Sequence, residues 1–174
     1  MDGREARLGR LDPGLLADPL DFLSAEHARQ RALLGHLERL ARKPSGPARV
    51  AMARALAAWL ACELPLHLRD EEESLYPRIA STAGPVTRTL AEENRAAAAS
   101  RAELRAELAL IATGHRPSDR FTPAALEFAA GYRRHLAVEE FEVMPAARRS
   151  LSGIACDAIT REMAARRGRG DKHA

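Results

Sequence analysis

Cysteine is nearly absent from this chain. Its 174 residues hold two, Cys62 and Cys156, with no CxxC spacing. That excludes a disulfide framework and a thiolate metal site. Aromatic residues are also scarce: Phe22, Trp59, Tyr76, Phe121, Phe128, Tyr132 and Phe141 make up 4% of the chain. Strands favour aromatic and β-branched residues, so this poverty argues against a β-sandwich. No uninterrupted apolar run approaches the roughly 18 residues of a membrane-spanning helix. Nor does the opening Met1-Asp2-Gly3-Arg4-Glu5 hold the apolar core of a signal peptide. The expectation is a soluble, cytoplasmic protein with no membrane contact. What the chain has in abundance is Ala, Leu, Arg and Glu, all strong helix formers, with 46% apolar residues to build a core. It reads as all-α.

The net charge of +3 is unevenly placed. Through Pro145 there are 20 Lys/Arg against 21 Asp/Glu, whereas the last 29 residues carry seven basic and three acidic ones. The basic character therefore belongs to the C-terminus, around Arg166-Arg167-Gly168-Arg169, which is expected to be a solvated tail. No aromatic residue follows Phe141. The stacking half of a single-strand-binding surface is missing, and nucleic acid is not expected as a partner.

Prolines and glycines punctuate the chain. Asp18-Pro19 is an N-cap followed by proline at the first helical position, predicting a helix from Pro19 to about Arg42. After Lys43-Pro44-Ser45-Gly46-Pro47, a second helix is expected from about Ala48 to Tyr76, ending before Pro77 and kinked at Pro65. Ser81-Thr82-Ala83-Gly84-Pro85 reads as a break, followed by a third helix from Val86 to about Ala112. Gly114 through Thr122 reads as the longest loop. A fourth helix is expected from Pro123 to about Met144, and a weaker one from Ala146 towards Arg167. Short connections favour an up-down-up-down antiparallel four-helix bundle. The expected layout is a lead at 1–17, a bundle at 18–148, and a C-terminal helix with its tail at 149–174.

The chain also repeats itself. His67-Leu68-Arg69-Asp70-Glu71-Glu72 runs on to Leu75-Tyr76-Pro77, and His135-Leu136-Ala137-Val138-Glu139-Glu140 runs on to Val143-Met144-Pro145. Glu26-His27 in the first helix matches Glu93-Asn94 in the third. Two helical hairpins, each a copy of the other, account for this. Residues four apart share a helix face, so His67 points with Glu71 and His135 with Glu139. His27 and His67 both fall roughly 14 Å from one end of the bundle, and Asn94 and His135 match them in depth. Three imidazoles and two carboxylates in one layer are costly as bare buried groups, and a metal ion resolves that cost. Such donors suit iron, zinc or manganese. The Glu-x-x-His spacing of ferritin-like sites is absent. His36, His115 and His173 fall off this layer and are not expected to be ligands.

These residues resemble the hemerythrin-like, or HHE cation-binding, domain family over about residues 18–148. The resemblance implies a four-helix bundle around one or two non-haem iron ions, with zinc or manganese as surrogates. His27 and His67 would ligate one iron, His135 would serve the other, and Glu71 and Glu139 would bridge. The chain departs from the family in the third helix, where Asn94 and Ala98 stand in places the family gives to histidine. Asn94, Glu63 and Tyr132 are candidate additional ligands. The implied function is binding or sensing of dioxygen, nitric oxide or iron. The alternatives are an iron-dependent peroxidase or oxidase, and a metal-free helical interaction module.

Overall fold

Asp18 starts the first helix. Its Oδ1 accepts the backbone N–H of Leu20 at 2.8 Å and of Asp21 at 3.1 Å, and Pro19 follows where a missing N–H is harmless. Helix α1 then runs Pro19–Arg42. The computed structural model describes residues 17–43, 46 and 48–168, and every regular element among them is helical. The lead at 1–16, Pro44, Ser45 and Pro47 of the first connection, and the tail from 169 on with His173 lie outside the described residues.

The second rod, α2 (residues 49–78), is assembled from Arg49–Ala58, a π-helical turn Trp59–Glu63, Leu64–Arg69, a second π turn Asp70–Leu75, and Tyr76–Arg78. Helix α3 (80–112) consists of Ala80–Ala96 and Ala98–Ala112, joined at Ala97. Helix α4 (121–150) runs Phe121–Val138, a π turn Glu139–Val143, and Met144–Ser150. Helix α5 is Gly153–Arg166, capped by Ser152, whose Oγ accepts the Ala155 N–H.

Helix α1 packs along α4, and α2 along α3. The α1 seam is Leu20, Leu23, His27, Gln30, Leu34, Leu37 and Ala41, all buried at alternating steps of three and four. That spacing suits near-parallel axes. Ala125, Ala129, Tyr132, Leu136, Glu139 and Val143 repeat it on α4. Polar residues interrupt both seams at the same level. The core is accordingly two apolar clusters, one around Leu34, Leu37, Trp59, Leu108 and Phe121, the other around Leu23, Leu75, Ile79, Val143 and Met163. His27, His67, Glu71, Asn94, His135 and Glu139 belong to neither cluster and are all buried.

Several boundaries differ from the sequence reading, and proline explains most of them. Each π turn ends two positions before a proline, and the residue between them closes it: Leu64 donates its N–H to Trp59 O, Tyr76 to Glu71 O and Met144 to Glu139 O. The wide turn absorbs the residue that cannot donate, so α2 continues through Pro65 and Pro77, and α4 through Pro145. The break expected at 81–85 sits instead at Ile79 (φ −114°, ψ 14°), and Pro85 lies inside the helix. Its missing bond falls on the carbonyl of Ser81, an exposed residue open to solvent.

Arg166 and Arg167 are not part of a solvated tail, and Arg169 lies outside the described residues. Arg166 Nη1 donates to Asp70 Oδ1 at 2.7 Å, Arg167 Nη2 donates to Asp70 Oδ2, and Arg78 and Ser74 bond Glu162 of α5. Asp70 is fully buried. Burial raises its pKa while both guanidiniums oppose the rise, leaving it above the usual carboxylate value. Arg167 also lies over the Phe22 ring, 5.0 Å from its centroid. Helix α5 thus ties α1 to α2.

Candidate metal centre

Four donors converge where the two seams turn polar. His27, His67, Glu71 and Glu139 each offer an atom within 4.8 Å of the others, and all four side chains are buried. His27 Nε2 lies 3.1 Å from Glu71 Oε1 and 3.5 Å from Glu139 Oε2. His67 Nε2 lies 3.2 Å from Glu71 Oε1 but without hydrogen-bond geometry. Among the described residues, His67 Nε2, Glu71 Oε2 and Glu139 Oε2 are buried with no hydrogen-bond partner at all. Such orphaned atoms are costly in a folded core. They belong to one imidazole and two carboxylates of the four-residue group, a donor set that fits a cation.

The outward face of each imidazole is held by a carboxylate from a neighbouring helix. His27 Nδ1 pairs with Glu140 Oε1 at 2.6 Å, His67 Nδ1 with Glu26 Oε2 at 2.9 Å, and His135 Nδ1 with Glu93 Oε2 at 3.0 Å. A carboxylate on Nδ1 fixes the ring's orientation and leaves Nε2 for the interior. The fourth corner copies the others with a shorter side chain: Asn94 donates Nδ2–H to Glu72 Oε1 at 2.9 Å.

Charge is concentrated here. Burial disfavours imidazolium at His27, but hydrogen bonds from Glu140 and Glu71 outweigh it and raise the pKa to about 9. His67 is likewise raised, burial being overcome by the charge of Glu71 and the hydrogen bond to Glu26. Burial works against ionisation of Glu71, yet His67 and His27 hold it below the usual carboxylate range. Tyr76 donates its hydroxyl to Glu139 Oε1 at 2.8 Å, and burial with the two carboxylates drives its pKa up, so it stays a donor.

His135 is buried beside this group, its Nε2 3.1 Å from Glu139 Oε1. The residues considered as additional ligands have other partners. The Glu63 carboxylate lies 2.6 Å from Arg29 Nη1. Tyr132 donates its hydroxyl to Gln30 Oε1 at 2.7 Å, while its ring stacks on His135. His36 bonds Arg39, and His115 sits exposed near Thr113. The sequence reading overlooked Tyr76 and the orienting carboxylates Glu26, Glu72, Glu93 and Glu140. The signal was present, since the repeat carries an acid beside each ligand position that needs no metal contact of its own.

A comparison with family models matches residues 18–147 to one described as the hemerythrin HHE cation binding domain. The match covers well over half of the chain, so the chain belongs to this family. A comparison with curated proteins finds no match.

Proposed function

We propose that this member of the hemerythrin HHE family binds non-haem iron in its buried His/Glu layer and uses it to bind or sense dioxygen, nitric oxide or iron supply. Iron so held would supply coordination of a small diatomic ligand and exchange of electrons with it. The reading takes α1 to α4 as an up-down-up-down bundle whose two hairpins each bring half of the layer. His27, His67, Glu71 and Glu139 hold the first ion. His135 shares Glu139 and serves a second, weaker position, to which Asn94 brings no donor of imidazole reach.

The residues around the donors divide the remaining work. Glu140 and Glu26 keep the Nδ1 proton of His27 and His67, presenting Nε2 inward. Tyr76 holds a proton on Glu139 Oε1, which leaves Oε2 for the ion. The apolar clusters above and below the layer exclude water from it.

One observation carries the proposal: three buried donor atoms without partners belong to a group of side chains whose donor atoms lie within 4.8 Å of one another. The test is metal analysis of the purified chain, with absorption spectra of the reduced protein before and after air. One to two iron ions per chain, or zinc in their place, are expected, and they should be lost in His67→Ala/His135→Ala. Unchanged metal content in that double variant would refute the assignment. A chain that never takes up metal would be the helical interaction module instead.

A further inference from the structure

Helix α3 carries a cation in the wrong place for a surface residue. Its inward seam runs Thr87, Leu90, Asn94, Ala97, Arg101, Leu104, Leu108 and Ile111, in steps of three and four. Arg101 therefore occupies a core-facing position between Asn94 and Leu104, and its side chain is half-buried. Among the described residues no hydrogen bond or ion pair to its guanidinium is made. Burial pulls its pKa down, with Tyr132 and Glu72 only partly offsetting. Glu72 itself bonds Asn94, and the Tyr132 hydroxyl bonds Gln30.

The guanidinium lines a groove of about 730 Å³ between α3 and α4. Asn94, Tyr132 and His135 form its buried end, with Ala97 and Phe128 as apolar wall. Glu103, Glu127 and Arg134 lie along its exposed rim, and Glu93 is engaged by His135. The volume falls in the range of small-molecule sites, which combine apolar walls with a few placed polar groups. Here the placed group is a planar, half-desolvated cation with no direct ion pair among the described residues, Glu72 acting on it only from a distance. Its fork matches a carboxylate bidentately.

We propose that this groove binds a small organic monocarboxylate, its carboxylate on Arg101 and its apolar body against Phe128, Tyr132 and Ala97. The apolar walls favour an acid with a hydrocarbon body over a bare inorganic anion. The rim favours one negative charge over several, because Glu103 and Glu127 together outweigh Arg134 and repel a polyanion on entry. The groove shares Asn94 and His135 with the second metal position, but the carboxylate contact at Arg101 does not require the ion.

Trp59 makes the test direct. It is the chain's single tryptophan, and its ring lies 6.3 Å from Phe128 and 6.4 Å from Tyr132, both in the groove. The full-length protein as purified is titrated with hexanoate, hexylammonium, hexan-1-ol and inorganic phosphate, following Trp59 emission together with binding heat. Hexanoate should bind saturably and at least about tenfold tighter than the other three, a difference of roughly 1.4 kcal/mol. Arg101→Gln should lose that preference with the melting temperature unchanged, since the guanidinium supports no contact in the fold. Gly131→Leu is the second variant: a Cβ there meets only Arg134 Nη2, at 3.7 Å, so the side chain can start into the groove without a backbone clash and should also abolish binding. Equal binding of hexylammonium, hexan-1-ol or phosphate would overturn the proposal. So would hexanoate binding that survives Arg101→Gln, or neither heat nor emission change with hexanoate at millimolar concentration.

Discussion

The His27 and Asn94 corners occupy matching places in the two hairpins, and the same carboxylate scaffold serves both. Glu140 holds His27 at 2.6 Å; Glu72 holds Asn94 at 2.9 Å. In the first corner the ring carries on past the hydrogen bond, placing Nε2 among Glu71 and Glu139. In the second the side chain ends at the amide that makes the hydrogen bond. The difference is two bonds of reach. An orienting carboxylate aims a side chain but cannot lengthen it, so similar contacts bring an imidazole nitrogen to the carboxylates on one side and none on the other.

The strongest challenge to this comparison is a pair of truncations. His27→Ala should strip the chain of nearly all metal that survives gel filtration, while Asn94→Ala should leave content within about twofold, as read by elemental analysis. Similar losses from both would erase the distinction between the corners. A subtler pair removes only the orienting charge. Glu140→Gln should weaken metal affinity by roughly tenfold, the usual cost of losing a partner behind a ligand, whereas Glu72→Gln should not change it in a competition titration with a chromophoric chelator.

Asn94→His should sharpen the contrast from the other side. With Glu72 already placed to take its Nδ1–H, the new ring should raise metal content towards two ions per chain. Failure to rise would mean that reach is not what limits the second position. The smallest effect concerns protons in the metal-free chain. His27 has its folded-state pKa raised to about 9, so its contribution is fully present below the unfolded value of 6.5 and drains away as pH climbs towards 9. Between pH 6.5 and 8 the apo melting temperature should fall by about 5 °C. Glu71 acts oppositely, its support being lost as pH drops below 4.5, its unfolded value. His27→Asn, which makes the first corner resemble the second, should flatten the alkaline slope in calorimetry. An unaltered slope would place the titration elsewhere.

Much of this was legible in the sequence because periodicity and repetition are local signals. The helical class followed from composition, and the layer from two copies of His-x-x-x-Glu at equal depth. Asp18-Pro19 announced its helix through capping chemistry alone. Legibility failed where a proline had two readings. Pro65, Pro77 and Pro145 look like kinks or stops when a helix is assumed to keep 3.6 residues per turn, and wide turns are invisible to that assumption. Pro85 failed for another reason: a helix tolerates one lost bond when the abandoned carbonyl faces water. The Arg166 and Arg167 brace depended on buried Asp70, seven positions before Pro77, and no local pattern joins residues so far apart. Arg101 escaped notice because an arginine among polar neighbours reads as surface until the seam register is counted.

The pairing of wide turns with prolines bears on how still the site can be. A wide turn is a helix defect, and a defect of this kind can travel: each residue in turn exchanges a bond to the fourth preceding carbonyl for one to the fifth, and the bulge creeps along. A proline donates neither bond. Placed immediately after Tyr76 and Met144, Pro77 and Pro145 stop the bulge at its C-terminal edge, and the carbonyls of Glu71 and Glu139 receive the last wide bonds. The backbone beneath both carboxylates is thereby locked against creep, so their height and rotation along the helix are set by covalent structure before any ion arrives.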